Sequence, residues 1–372
     1  MSGAVLDLFL DLVSIPSPPG EERAVADRVS EELRGLGLEV DEDEAGAEIG
    51  SNAGNLLARL PPTTDGLPIF LCAHLDTVPP DGPIEPVVED GVVTNGGGTI
   101  LGADNKAAVA VMVESAKRVL AEGRQHAGLE LLFTQKEEVG LLGAYAFDRS
   151  RLAAKAGFVY DQSAPIGEVI LGAPHGVALE ITFRGQSAHA GMVPEEGRSA
   201  IAAAARAVAD FRLGRIDDET TANVGTIEGG TARNIVPDRC VLHADVRSHD
   251  ERKLADLVRE MQETVAFAAS LEGCEAEVTI ERSYRGYRFR RGDVPVRLAA
   301  TALERAGFTP SFELTGGGAD ANVFNERGLP CVNLANGAID IHTPEEHIAV
   351  ADLDAMIDVT LLILDAAREL PG

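Results

Sequence analysis

Apolar positions recur along this chain in two styles, and the switch between them outlines its architecture. Residues 21–34 carry apolar side chains at helical spacing, and Gly35 and Gly37 close the segment. The runs 68–73, 129–134 and 156–160 are mainly apolar, as strands buried on both faces are, and 105–120 reads as a helix. Alternating strands and helices over 1–175 predict a largely parallel sheet covered on both faces. Then the rhythm changes. Residues 177–183 alternate as a half-buried strand, 199–211 form an alanine-rich helix, 222–227 and 240–246 are strands, 251–271 is a long helix, and 275–281 is another strand. That βαββαβ order is the split βαβ, or ferredoxin-like, unit. From about residue 293 the first style resumes, with a helix at 294–305, a strand at 330–335 and a closing helix at 351–367. The expected organisation is an α/β domain built from 1–175 and 286–372, into which a ferredoxin-like α+β domain is inserted at 176–285.

Composition narrows the possible partners. The 372 residues are comfortable for two domains, and 45% hydrophobic content is enough for a sizeable core. A net charge of -28, from 60 acidic and 32 basic residues, repels phosphate backbones and anionic lipid, so neither nucleic acid nor membrane is expected as a partner. RNA-binding modules share the βαββαβ order, but the stacking aromatics they need are missing here. Cys72, Cys240, Cys274 and Cys331 are scattered and form no CxxC pair, which argues against a disulfide framework or a thiolate metal site and fits a reducing cytoplasm. The opening MSGAVLDLFLDLVSIPS lacks a basic start and carries Asp7 and Asp11, unlike a secretory leader. No apolar run approaches the ~18 residues of a membrane span.

The chemistry gathers where strands are expected to end. The 68–73 run leads into His74 and Asp76, the 129–134 run into Glu137 and Glu138, and the 156–160 run into Asp161. Asp104 precedes the 105–120 helix, and His342 follows the last strand after a loop. The carboxyl ends of strands in an open α/β sheet are where ligands bind, so these residues would converge although they span nearly the whole chain. Imidazoles and carboxylates without thiolate suit zinc or a similar divalent ion. His74 and Asp76, two apart, would share a face, letting the Asp76 carboxylate orient the ring. Adjacent acids in the turn at Glu137–Glu138 are unfavourable without positive charge nearby; one would bind metal and the other act as a base. Each feature alone has an ordinary structural explanation. Together they do not.

AHLDTVP, GADNKAAVA, QKEEVGLLGA, YDQS, GQSAHAGMVPEEGRSAI, NIVPDRCVLHADVRS, GGGADAN and HTPEEHI occur in this order. The set resembles the co-catalytic dizinc exopeptidases, a family that includes peptidase T, glutamate carboxypeptidases and aminoacylases, and is most similar to the peptidase T-like branch. The resemblance covers nearly the whole chain. It implies a mixed sheet flanked by helices, with the inserted domain as a lid that also mediates homodimerisation. It further implies two Zn2+ per chain, with Co2+ or Mn2+ as substitutes. By the same resemblance His74 and Asp161 hold one zinc, Glu138 and His342 the other, and Asp104 bridges both. Glu137 is then the general base, Asp76 orients His74, and His189 donates to the developing oxyanion. Asn234 and Arg247 hold polar groups of the substrate, and Gly316, Gly317 and Gly318 allow close backbone approach to it. GGGADAN is no phosphate loop, since no lysine follows it. The implied activity is hydrolysis of small peptides by a tripeptidase-like aminopeptidase, the alternative being an N-acyl-amino-acid deacylase or carboxypeptidase of the same family.

Overall fold

A computed structural model of the chain describes residues 2–371. The chain divides into two units. One runs to Gly172 and resumes over Arg288–Thr315 and from Ala319 onward; the other comprises Ala173–Tyr287 and Gly316–Gly318.

In the first unit the main sheet runs in the order Val40–Glu42, Leu56–Leu60, Leu129–Thr134, Ile69–His74, Ala156–Gln162, Cys331–Ala335 and Glu168–Ala173. The middle four strands are parallel to one another, while Leu56–Leu60 and Glu168–Ala173 join them antiparallel, so the sheet is mixed. All six residues of Ile69–His74 and of Leu129–Thr134 are buried, which explains their mainly apolar character; the exception inside them, Glu130, accepts from the amides of Ala153 and Ala154. Helices Ser2–Val13, Ala103–Glu122, Val294–Arg305 and Val350–Arg368 share this core, through Val5, Phe9, Val109, Val296, Leu353 and Ile357 among others. Residues 2–13, which the sequence marks only as unlike a leader, form a helix because Val5, Phe9, Leu12 and Val13 recur at helical spacing and are fully buried.

A four-stranded sheet that periodicity did not reveal lies beside this core, ordered Ala338–Ile339, His347–Ala349, Val92–Asn95 and Pro86–Glu89. Asp90 and Gly91 join its hairpin with φ of 50° and 79°, the two positive values a two-residue primed turn requires. By pairing with Val92–Asn95, the His347–Ala349 strand fixes the chain just after the loop that carries His342.

The second unit is an antiparallel sheet ordered Gly214–Asp217, Thr220–Gly229, Arg239–Ser248, His175–Arg184 and Glu275–Tyr284. Ala200–Asp210 and Glu251–Leu271 bury their apolar stripes on it, the latter through Leu254, Leu257, Val258, Met261 and Val265. Side-chain caps start both helices: Ser199 accepts from the Ala202 amide, and Asp250 accepts from those of Arg252 and Lys253. The sequence reading has four strands here and the structure has five. Gly214–Asp217 is a mostly exposed edge strand without apolar alternation, so period alone could not reveal it. Among the described residues no helix is long and apolar enough to cross a membrane.

Candidate active site

Three neighbouring parallel strands deliver the first residues. His74 ends Ile69–His74, Asp161 lies next to last in Ala156–Gln162, and Glu137 and Glu138 follow Leu129–Thr134 across a tight turn in which Lys136 has φ 52°. Asp104 lies in the first turn of Ala103–Glu122 but has non-helical angles (φ −80°, ψ 105°), and its peptide bond to Asn105 is cis.

The side chains meet in a definite pattern. His74 Nε2 lies 3.2 Å from Asp104 Oδ1 and 3.6 Å from Asp161 Oδ1. His342 Nε2 lies 3.3 Å from Asp104 Oδ2 and 3.0 Å from Glu138 Oε1. Asp104 therefore turns one oxygen to each imidazole, and each imidazole has a second carboxylate of its own. Ligand atoms of His74, Asp104 and Glu138 lie within 4.8 Å of one another, as do those of His74, Glu137 and Asp161. Three carboxylates and two imidazoles, several of them buried, form a donor set that fits two divalent ions sharing one bridging carboxylate.

Electrostatics points the same way. Burial and the charge of Asp104 push the Asp161 carboxyl well above the usual range. Burial, then Asp161, does the same to Glu137. Burial alone would lower His74, but hydrogen bonds to Asp104, Asp161 and Asp76 outweigh it and hold the imidazole well above the ordinary value. Hydrogen bonds to Asp104 and Glu138 lift His342 to about 10. So many acids in so little water make a strong attractor for cations.

Asp76 is fully buried, and its part differs in detail from the expected one. The nearest acceptor to His74 Nδ1 is the Asp76 carbonyl at 2.8 Å, whereas its carboxylate is 3.5 Å away. Beside that longer contact, the carboxylate accepts from the amides of Glu137 (3.0 Å) and Glu138 (3.1 Å) and holds the acidic turn. The strand ends at His74, so the alternation that would aim both side chains one way stops there.

Two supporting residues escaped the sequence reading. Glu346 is 1% exposed and accepts from the amides of Leu101 (2.7 Å), Gly102 (2.8 Å) and Asp104 (3.0 Å), fixing the backbone that presents the shared carboxylate. Asn333 brackets Asp161, accepting from its amide at 2.9 Å and donating to its carbonyl at 3.1 Å. A buried acid in HTPEEHI and an asparagine inside the apolar CVNLA strand were the available signals.

The remaining expected residues belong to the second unit and form two groups. His189 and Asn234 sit on adjoining loops, joined by the Ala190 amide donating to the Asn234 carbonyl (3.0 Å) and by a bridge between His189 and Ile235; both side chains are exposed. Arg247 lies towards the far end of Arg239–Ser248, where it bonds Asp245 at 2.7 Å and the Gly316 carbonyl at 3.2 Å. Gly317 and Gly318 follow, and Gly318 lies so close to the Tyr284 ring that an added Cβ would stand 2.6 Å from it. Asn234 precedes Arg239–Ser248, whereas Arg247 lies next to last in it, a strand rise of roughly 26 Å beyond Arg239.

Comparison with known proteins places this geometry. The peptidase dimerisation domain description matches residues 176–270, and that of peptidase family M28 matches 55–171. The uncharacterized protein YqjE of Bacillus subtilis (strain 168) is 39% identical over 365 residues, 98% of each chain. The crystal structure of aminopeptidase PepT from Bacillus cereus ATCC 10987 is 39% identical, covers 99% of both chains and superposes with a TM-score of 0.88. A tripeptidase from Staphylococcus aureus is 35% identical with the same coverage and a TM-score of 0.93.

Proposed function

Since this chain belongs to the peptidase T-like branch of the co-catalytic dizinc exopeptidases, we propose that it is a tripeptidase-like aminopeptidase that cleaves small peptides. The observation that carries this reading is the Asp104 carboxylate facing His74 and His342 with opposite oxygens, with Glu137 buried beside them. The two similar structures, an aminopeptidase and a tripeptidase, favour it over deacylation or carboxypeptidase action.

His74 and Asp161 would hold one ion, Glu138 and His342 the other, and Asp104 both. Zinc suits this nitrogen and oxygen set, with Co2+ or Mn2+ as substitutes. Bound there, such ions supply Lewis acidity and would lower the pKa of water towards about 7. Glu137 takes the proton of the attacking water on its carboxylate and returns it to the leaving amine. Asp76 keeps Glu137 in place through its amide.

His189 stabilises the oxyanion, while Asn234, Arg247 and the Gly316–Gly318 backbone hold the peptide. An extended tripeptide spans about 11 Å. The strand from Arg239 to Arg247 alone spans roughly 26 Å, more than twice that reach. We assign His189 and Asn234 to the site of a partner chain in a homodimer formed by the inserted units. The edge strands Gly214–Asp217 and Glu275–Tyr284 are candidates for that contact. Four free thiols suit a cytoplasmic setting.

The test is a panel of tripeptides, dipeptides, N-acetyl amino acids and N-blocked peptides, run with demetallated and zinc-reloaded protein. Hydrolysis that needs both metal and a free amino terminus supports the reading. Preference for N-acyl substrates would replace it with deacylation, and full activity without metal would end it.

A further inference from the structure

The GGGADAN motif draws notice for its glycines, but its aspartate makes the more informative contacts. Asp320 opens the helix Asp320–Glu326 and is 2% exposed. Its Oδ2 accepts from the Thr134 hydroxyl and, at 3.7 Å, from the Cys72 thiol. Thr134 ends the strand that leads to Glu137, and its register partner on the neighbouring strand is His74. Cys72 precedes His74 by two residues, so Cys72, His74 and Thr134 project from one face of the sheet. One carboxylate thus grips both strand ends at the point where they turn into the site.

The other oxygen, Oδ1, is buried with no hydrogen-bond partner among the described residues. Burying a carboxylate with one oxygen unpaired costs stability, so fold stability alone does not account for an acid here. Burial pushes the carboxyl up to about 6 against the pull of the Thr134 hydroxyl, and its field is felt at Glu137. A group that is unfavourable to bury and touches both strand ends is better explained by what those ends carry.

We propose that Asp320 is a positioning residue of the two-metal site: through Thr134 and Cys72 it sets the ends of the strands that present His74 and the Glu137–Glu138 turn. This rests on the two-metal peptidase reading. It adds a residue that touches neither metal nor substrate.

The experiment compares Asp320→Ala, Asp320→Asn, Thr134→Val and the Asp320→Ala/Thr134→Val pair. It measures Co2+ affinity of the apoprotein by titration with the metal alone, tripeptide kcat and KM, and apoprotein melting. Asp320→Ala is expected to weaken Co2+ binding and lower kcat by about 10–100-fold each, with KM within about twofold. Thr134→Val should reproduce part of this, the pair should be no worse than Asp320→Ala, and Asp320→Asn should recover part of the metal affinity. If Asp320→Ala fails to fold, the near-isosteric Asp320→Asn and Thr134→Val carry the test. Unchanged Co2+ affinity and kcat in folded variants, with only melting lowered, would overturn the proposal, as would fully additive effects in the pair. Wild-type protein that binds two Co2+ but cleaves no peptide would sink the peptidase reading and leave Asp320 to be judged on metal affinity. Wild-type protein that binds no metal would remove both.

Discussion

The first unit's strand-end cluster and the second unit's loops carry motifs of equal clarity but differ physically. At the strand ends His74 is 2% exposed, Asp104 6% and Glu137 8%. Asp76, Glu346 and Asn333 tie the backbone on which Glu137, Asp104 and Asp161 stand. His189 and Asn234 are exposed, and His189 Nδ1 accepts only from the Gly191 amide at 3.2 Å among the described hydrogen bonds. The difference separates two ways of building a site. A metal centre must exist before substrate arrives, so its geometry is written into one fold and held by a buried network. His189 and Asn234, proposed to meet the substrate, are exposed in their own unit, and that role cannot be read from contacts within it.

The sharpest break in that comparison comes from adjacent residues of the cluster. Glu137→Gln keeps the shape and loses the proton acceptor, so turnover is expected to fall about 10²–10⁴-fold with both metals retained by elemental analysis. Glu138→Gln should lose metal from one position. If Glu137→Gln turned over at the wild-type rate, the base would have to be reassigned.

The second region is tested by complementation. His189→Ala should cost about 10²–10³ in kcat and leave metal content untouched, as suits an exposed residue outside the buried network. Mixing it with Glu137→Gln under conditions that allow subunit exchange discriminates further. If His189 acts across a dimer, the mixed dimer contains one intact site and activity returns. Continued inactivity after proven exchange would place His189 in its own chain's site.

Glu346→Gln probes the support beneath the cluster. The amide nitrogen of glutamine would face a backbone donor, and the 101–104 segment would lose a clamp. Metal affinity should drop about 10–100-fold, readable by titration of the apoprotein. Affinity equal to wild type would show that Asp104 needs no such anchor.

How much of this was legible follows from the same contrast. Acids and histidines that interrupt apolar runs stand out, so His74, Glu137, Glu138 and Asp161 could be singled out by eye. Their supports could not. Glu346 reaches Asp104 across 242 positions and Asp320 reaches Thr134 across 186, and neither spacing leaves a local trace. The parallel strands were visible because both faces are buried, while Gly214–Asp217, mostly exposed, had no pattern to read. The Asp90-Gly91 turn was a readable hairpin signal that hydrophobic period passes over.

The smallest expected effect asks whether the two regions are energetically separate. Ser199 caps Ala200–Asp210 by accepting from the Ala202 amide at 3.2 Å. Ser199→Ala removes that acceptor and should destabilise the second unit by about 1 kcal/mol, measured by denaturant unfolding followed with a probe in that unit. Because the helix buries Ala200, Ala203, Ala204 and Ala207 in the second unit's own core, the loss should stay there. Co2+ affinity at the strand ends should then be unchanged, since sites without shared contacts behave additively. A matching fall in metal affinity would mean that the two units unfold as one, and the contrast between a self-contained metal centre and a separately folded insert would have to be given up.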